Sequence, residues 1–381
     1  MKIVYCTPAL YLAGGVERVL TMKANHLAEH YGYDITIILT EGKDKGLFYP
    51  LSDKIKVVNL DIGFEELWTC SFAKKVWVYL RKQRLYKKLL TAELMRIRPD
   101  ITISLLRREI NFLTSIKDGS KKVGELHVNR ANYRNFEKGK GNFLKNLFAR
   151  WWMHNLVGKL RGLDRFIVLT DEDRKAWGEL SNVTHIPNPL TLTPIVKSPL
   201  TQKRLLSVGR YAYQKGYDML LKAWALVEKD HLDWSLAIYG DGNSEPYLRQ
   251  AMELGIDMER CTLNPPTKTI QNEYANSSLY VMSSRYEGFG LVLVEAMACG
   301  LPVVSFDCPC GPKDIVTPQS GVLVKSGDIG ALATALSRLM SDADERQRLS
   351  QGAIQRSASY DINHIGEQWN HLFQTVCSNT R

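Results

Sequence analysis

No run of about 18 consecutive apolar residues occurs in the chain, so a membrane-spanning helix is not expected. Low-complexity tracts are missing too. With 45% hydrophobic and 24% charged residues, essentially the whole chain should fold. Cysteine is sparse. The seven (Cys6, Cys70, Cys261, Cys299, Cys308, Cys310 and Cys377) are odd in number and scattered, without the Cys-x-x-Cys spacing of a zinc site or redox centre. They read as thiols of a reducing, cytosolic compartment. The opening Met1-Lys2-Ile3-Val4-Tyr5-Cys6-Thr7-Pro8 is interrupted too soon, by Pro8 and Gly14-Gly15, for a secretory leader. The expectation is a cytoplasmic protein, soluble or peripheral on a membrane.

What is present is chain enough for two domains and an uneven charge. A length of 381 residues exceeds one ordinary core and fits two domains of roughly 150 to 200 residues. The net charge is +10, yet residues 1–190 hold 32 Lys and Arg against 20 Asp and Glu, while residues 191–381 hold 18 against 20. A basic first half without a nucleic-acid motif suits an anionic membrane, an anionic substrate or RNA, and the position of the charge must choose.

Short strand candidates at 2–6, 35–40, 55–60, 101–105, 122–124 and 165–170 alternate with helical patterns, the first running through Val16, Val19, Leu20, Ala24 and Leu27 after Gly14-Gly15. Periodicity stops at His185-Ile186-Pro187-Asn188-Pro189, which is expected to open the linker. It restarts with strands at 204–209, 235–239, 279–282 and 302–306 and helices at 217–227, 245–254, 291–299 and 329–339. The fold class expected is α/β, two doubly wound, Rossmann-like domains facing across a cleft.

The strongest local signal is Glu287-Gly288-Phe289-Gly290-Leu291-Val292-Leu293-Val294-Glu295-Ala296-Met297-Ala298-Cys299-Gly300-Leu301-Pro302-Val303-Val304, read as glycine loop, helix and strand. Glu287 precedes the helix and Glu295 lies eight residues later, within it. This run resembles the retaining glycosyltransferases of the GT-B fold, family 4 or group 1. The resemblance implies that Glu287 faces the donor sugar, that amides near Leu291 and Val292 meet the diphosphate, and that Glu295 binds the ribose. Free N–H groups and the helix dipole favour that anion, and Gly288 and Gly290 beside Phe289 let the backbone come close. Ser207-Val208-Gly209-Arg210-Tyr211-Ala212-Tyr213-Gln214-Lys215-Gly216 resembles a second segment of the family, which gives Arg210 and Lys215 to the diphosphate in place of a metal. Gly14-Gly15-Val16-Glu17-Arg18 resembles its glycine loop beside sugar and phosphates. Glu125-Leu126-His127-Val128-Asn129 is a looser match to the segment with a histidine near the donor sugar, a role carried to His127.

By the same resemblance, residues 1–188 form the acceptor-binding domain and 189–361 the nucleotide-sugar-binding domain, with 362–381 a helix returning to the first. No cofactor and no metal are expected beyond the nucleotide-sugar co-substrate. Asp171-Glu172-Asp173 mimics a metal-binding Asp-x-Asp but follows a strand and opens a helix, so capping explains it better. Leu263-Asn264-Pro265-Pro266-Thr267 stands where the family usually has a Phe-x-Gly beside the base, which leaves the base open, with a UDP-sugar favoured. Cys308-Pro309-Cys310-Gly311-Pro312 is read as structural.

Positive charge concentrates in residues 73–90, where seven cations are interleaved with Trp77, Tyr79, Leu80 and Leu85, and in 138–163, with Phe143, Phe148, Trp151 and Trp152. A cationic, aromatic helix suits an anionic lipid surface; a helix packed on its own sheet with a solvated basic side is the other reading. The expected function is transfer of a hexose or N-acetylhexosamine, with retention, to a carbohydrate acceptor on polyprenyl diphosphate in cell-surface polysaccharide, lipopolysaccharide or capsule synthesis. No nucleic acid is expected as partner; an inactive GT-B scaffold or RNA-binding protein is the alternative.

Overall fold

The computed structural model describes residues 1–69, 71–133 and 143–378; side chains at 68, 69, 72, 73 and 143–150 lie outside this set. Two compact units divide the chain, Met1–Pro189 with Ile362–Arg381 and Leu190–Asp361.

In the first unit, β1 (Lys2–Cys6), β2 (Asp34–Leu39), β3 (Lys56–Asn59), β4 (Ile101–Ser104), β5 (Lys121–Glu125), β6 (Arg165–Val168) and β7 (Val183–His185) form a parallel sheet in the order β3-β2-β1-β4-β5-β6-β7. Its helices are α1 (Gly15–His30), α2 (Phe72–Ile97), α3 (Phe143–Arg161) and α4 (Asp171–Ala176). A parallel sheet covered on both faces needs apolar side chains pointing both ways. Ile3 and Tyr5 of β1 accordingly pack with Leu20, Ala24 and Leu27 of α1, while Val4 and Cys6 pack with Val78, Tyr86, Leu90 and Leu94 of α2. Burial of each such aliphatic side chain is worth about 1.5–3 kcal/mol.

The second unit repeats the plan. β8 (Arg204–Val208), β9 (Ser235–Tyr239), β10 (Cys261–Asn264), β11 (Leu279–Met282), β12 (Val303–Asp307) and β13 (Gly321–Lys325) run parallel in the order β10-β9-β8-β11-β12-β13. Its helices are α5 (Tyr217–Val227), α6 (Glu245–Glu253), α7 (Ile270–Ala275), α8 (Leu291–Ala298), α9 (Pro312–Ile315), α10 (Ile329–Ser341) and α11 (Ala343–Ser357). The last helix, α12 (Ile362–Ser378), belongs to the first unit, where Ile365, Trp369 and Phe373 join the core beside α1.

The order of both sheets reverses at one place, between β1 and β4 in the first and between β8 and β11 in the second. Loops leaving such neighbouring strands diverge to opposite faces and open a crevice at the carboxyl ends. Strands β7, β10 and β13 are not among the expected ones. All three are sheet edges and largely half-buried; β7 and β10 lack an apolar run, whereas β13 carries Val322-Leu323-Val324, a signal that was there to be read.

Candidate functional site

In the second unit the crevice lies between the loop after β8, residues 209–216, and the loop after β11, residues 283–290. The two are laced together by a backbone hydrogen bond and by side chains that donate to backbone carbonyls. Arg285 N–H donates to the Gln214 carbonyl at 2.8 Å, the Gln214 amide donates to the Tyr286 carbonyl at 3.0 Å, and Ser283 Oγ donates to the Lys215 carbonyl at 2.9 Å. Gly216, at φ +65°, is where a side chain is impossible, because a Cβ would overlap the Ser283 carbonyl. Arg285 adds a bidentate pair with Asp218 at 2.8 and 2.6 Å and covers the Tyr213 ring at 4.0 Å.

This lacing brings Lys215 Nζ to 2.7 Å from Glu287 Oε1, which also accepts from Ser284 Oγ at 2.6 Å. Both side chains are largely buried. Beneath them, Glu287 N–H donates to the Pro309 carbonyl at 3.0 Å, and a Cβ on Gly311, at φ +127°, would overlap the Phe289 carbonyl. The Cys308 to Pro312 segment thus packs as a wall behind Glu287, with Cys308 and Cys310 buried. Gly290, at φ +97°, caps α8 without a side-chain hydrogen bond, and Leu291 and Val292 open the helix. Arg210 is exposed in the loop after β8.

Glu295 lies within α8 and is buried, accepting from Thr191 Oγ1 at 2.7 Å and from the Tyr274 hydroxyl at 3.4 Å. Burial, and then the Glu295 charge, push Tyr274 well above its usual range and the Cys299 thiol up to about 12. Thr191 and Ser284 escape the sequence reading. Thr191 lies 104 positions from Glu295, a separation at which no spacing rule operates. Ser284 carried a signal, three residues before Glu287 in the same loop.

In the first unit, Gly14 caps α1 in an extended conformation, and the Glu17 carboxylate occupies the space a Cβ would take there. Gly15 is the first residue of α1. His127, two residues beyond β5, has Nε2 3.1 Å from Glu125 Oε1, close but poorly aligned for a hydrogen bond. Glu125 is in turn paired with Lys23 of α1 at 2.6 Å, both side chains 1% exposed. Asn129 caps the following turn by accepting from Asn132 N–H at 2.9 Å. The Asp-x-Asp mimic is a helix start: Thr170 caps α4 through Asp173 N–H, Asp173 accepts from Arg130 N–H, and Asp171 pairs with Arg174 and Lys175. No group of three or more His, Cys, Asp and Glu placed to hold a metal ion occurs among the described residues.

The basic segments divide between packing and exposure. Val78, Tyr86, Leu90 and Leu94 put one side of α2 into the core, while Val76, Trp77 and Leu80 are exposed, Trp77 with Arg81 5.6 Å from its ring centroid. A groove of about 430 Å³ lined by Tyr79, Leu80, Ile110, Trp151, Trp152 and Leu156 runs between α2 and α3. The side chains of Phe143 and Phe148 in the second basic segment, and residues 134–142 altogether, lie outside the described set. No helix among the described residues is long and apolar enough to cross a membrane.

Residues 192–356, nearly the whole second unit, match the profile of glycosyl transferases group 1. The second unit belongs to that family. An uncharacterized glycosyltransferase of Haemophilus influenzae is 29% identical over 94% of this chain and 95% of its own. The amylovoran biosynthesis glycosyltransferase AmsD of Erwinia amylovora is 34% identical over 45% of this chain and 48% of its own. Among solved structures, S. aureus TarM, with fondaparinux, α-GlcNAc-glycerol and UDP bound, superposes with a TM-score of 0.74 at 17% identity, covering 98% of this chain and 99% of that one. The likeness shows the fold as GT-B, two Rossmann-like domains in one chain, as the motifs led one to expect.

Proposed function

We propose that the protein is a metal-independent, retaining glycosyltransferase that moves a hexose or N-acetylhexosamine from a nucleotide sugar, UDP-linked by preference, to a carbohydrate acceptor. The observation that carries this is the Lys215–Glu287 pair held at the switch point of the second sheet, beside the glycine-capped start of α8. A diphosphate placed there meets helix amides and two cations. The Lys215 ammonium has three donors, so its bond to Glu287 leaves others for phosphate oxygens, and Arg210 supplies a second charge.

In the reaction, the bond between the anomeric carbon and the diphosphate oxygen breaks, and the acceptor oxygen bonds to the same face of that carbon. Its proton passes to the departing phosphate. Lys215 and Arg210 stabilise charge as it builds on the leaving group. Glu287, fixed by Ser284 and Lys215, positions sugar hydroxyls rather than attacking, and Glu295 binds the ribose; His127 keeps the sugar-binding role that the family resemblance gives it. The UDP bound to TarM and the amylovoran biosynthesis named for AmsD support the donor and the pathway class. The exposed aromatics of α2 and α3 and the basic first unit support an acceptor on polyprenyl diphosphate, met at the anionic inner face of the cell membrane.

The test is nucleoside diphosphate release from a panel of UDP- and GDP-sugars in chelator, with membrane lipid extract as acceptor. Turnover with one donor, dependent on extract and lost in Glu287→Ala, is expected. No turnover and a salt-sensitive affinity for any RNA would favour the scaffold alternative.

A further inference from the structure

Lys23 and Glu125 form an ion pair inside the first unit, each 1% exposed. Such a pair is a poor stabiliser, since effective desolvation costs several kcal/mol per ion and apolar replacements of similar volume are often neutral or better. Its surroundings suggest another purpose. The Lys23 ammonium sits 3.9 Å from the centre of the Trp369 ring of α12 and 5.3 Å from that of Tyr5 on β1. Glu125 Oε1, which takes Lys23 Nζ at 2.6 Å, also lies 3.1 Å from His127 Nε2. The titratable groups gathered about His127 and its partner are therefore Glu125 from β5, Lys23 from α1 and Tyr5 from β1, with Trp369 alongside.

Each group's state follows from its setting. Burial, and then the Glu125 charge, hold the Tyr5 phenol protonated. Burial would raise Glu125, but the charge of Lys23, joined in the acid range where the carboxyl titrates by that of a protonated His127, outweighs it and brings the carboxyl down to about 2. Burial lowers Lys23, and Glu125 works against that by favouring the ammonium. At neutral pH the pair is ionised and nearly cancels itself.

We propose that Lys23 is a positioning residue for His127: by neutralising Glu125 it keeps the imidazole uncharged, with its N–H on Nε2 towards Glu125 and Nδ1 as acceptor for a substrate hydroxyl. A lone carboxylate beside the ring would instead favour imidazolium, which has two donors and no acceptor. Glu125 selects the tautomer, and Lys23 prevents that selection from becoming protonation. The proposal rests on the sugar-binding role given to His127 and names the polarity of its contact.

Nitrogen NMR of histidine-labelled protein tests it without turnover, so failure of the glycosyl-transfer reading would leave the result standing. The His127 signals are assigned by their loss in His127→Gln. The wild type should show the Nε2–H tautomer at neutral pH. In Lys23→Met the Glu125–His127 pair should take up its proton at a pH higher by about one unit or more. Should that variant fail to fold, Lys23→Met/Glu125→Gln removes both charges; there the midpoint should match the wild type and the tautomer preference should be lost. Equal midpoints in wild type and Lys23→Met, an Nδ1–H tautomer in the wild type, or a preference undiminished in the double variant would overturn the proposal.

Discussion

Lys215 and Glu287 show how two residues divide their work between folding and chemistry. Each compensates the other's charge in a mostly buried place, so removing one leaves the other exposed to the desolvation cost of an unpaired ion. Lys215→Met should lower kcat by roughly 100-fold or more through loss of leaving-group stabilisation. Nucleoside diphosphate release under saturating donor would read that directly. Glu125 makes a different prediction. Its folded-state value, about 2, lies below that of an exposed carboxylate. The stability it contributes is therefore complete above about pH 5 and is lost as pH falls towards about 2. Thermal melts of Glu125→Gln should start lower at neutral pH, because Lys23 is left unpaired, and should decline less steeply than wild type through that acid window. Lys23 itself sits in the apolar stripe of Val16, Val19, Leu20, Ala24 and Leu27, where the sequence displays an anomaly without its partner. Only the fold supplies Glu125, 102 residues on.

The elements carry the site through close approach. The loops after β8 and β11 meet so tightly that Gly216 has no room for a side chain, whereas Gly255, at a similar φ of +68°, faces open space. Gly255→Ala should cost only about 1–2 kcal/mol, the penalty of a left-handed residue. Gly216→Ala should cost several kcal/mol more than that and abolish activity by parting Lys215 from Glu287, as melts and assays of the two variants side by side would show. The Glu287 to Val304 run was legible because loop, helix and strand follow one another locally, so spacing alone sets the helix start within a residue of the observed Leu291. The edge strands β7 and β10 were not: they are short and half-buried, and only pairing with β6 and β9 defines them.

At the scale of the whole chain, the surplus of cations belongs to the first 190 residues, and the aromatic residues exposed on α2 and α3 share that unit. Trp77 and Trp151 are 62% and 59% exposed, far more than core packing requires. The protein should sediment with phosphatidylglycerol vesicles and not with phosphatidylcholine alone, with binding weakened as salt rises above about 0.15 M. Trp77→Ser/Trp151→Ser should weaken it roughly tenfold or more by removing inserted apolar surface. Equal binding to neutral vesicles would contradict the electrostatic part of that account.

A second unit that holds a nucleoside diphosphate by cations and helix amides at the switch point of its sheet needs Lys215 and no metal to do so. Calorimetric titration with UDP and GDP in excess chelator tests it most directly. One nucleotide should bind without metal, about tenfold or more weakly in Lys215→Met. Binding that requires a divalent ion, or that is indifferent to Lys215, would contradict it.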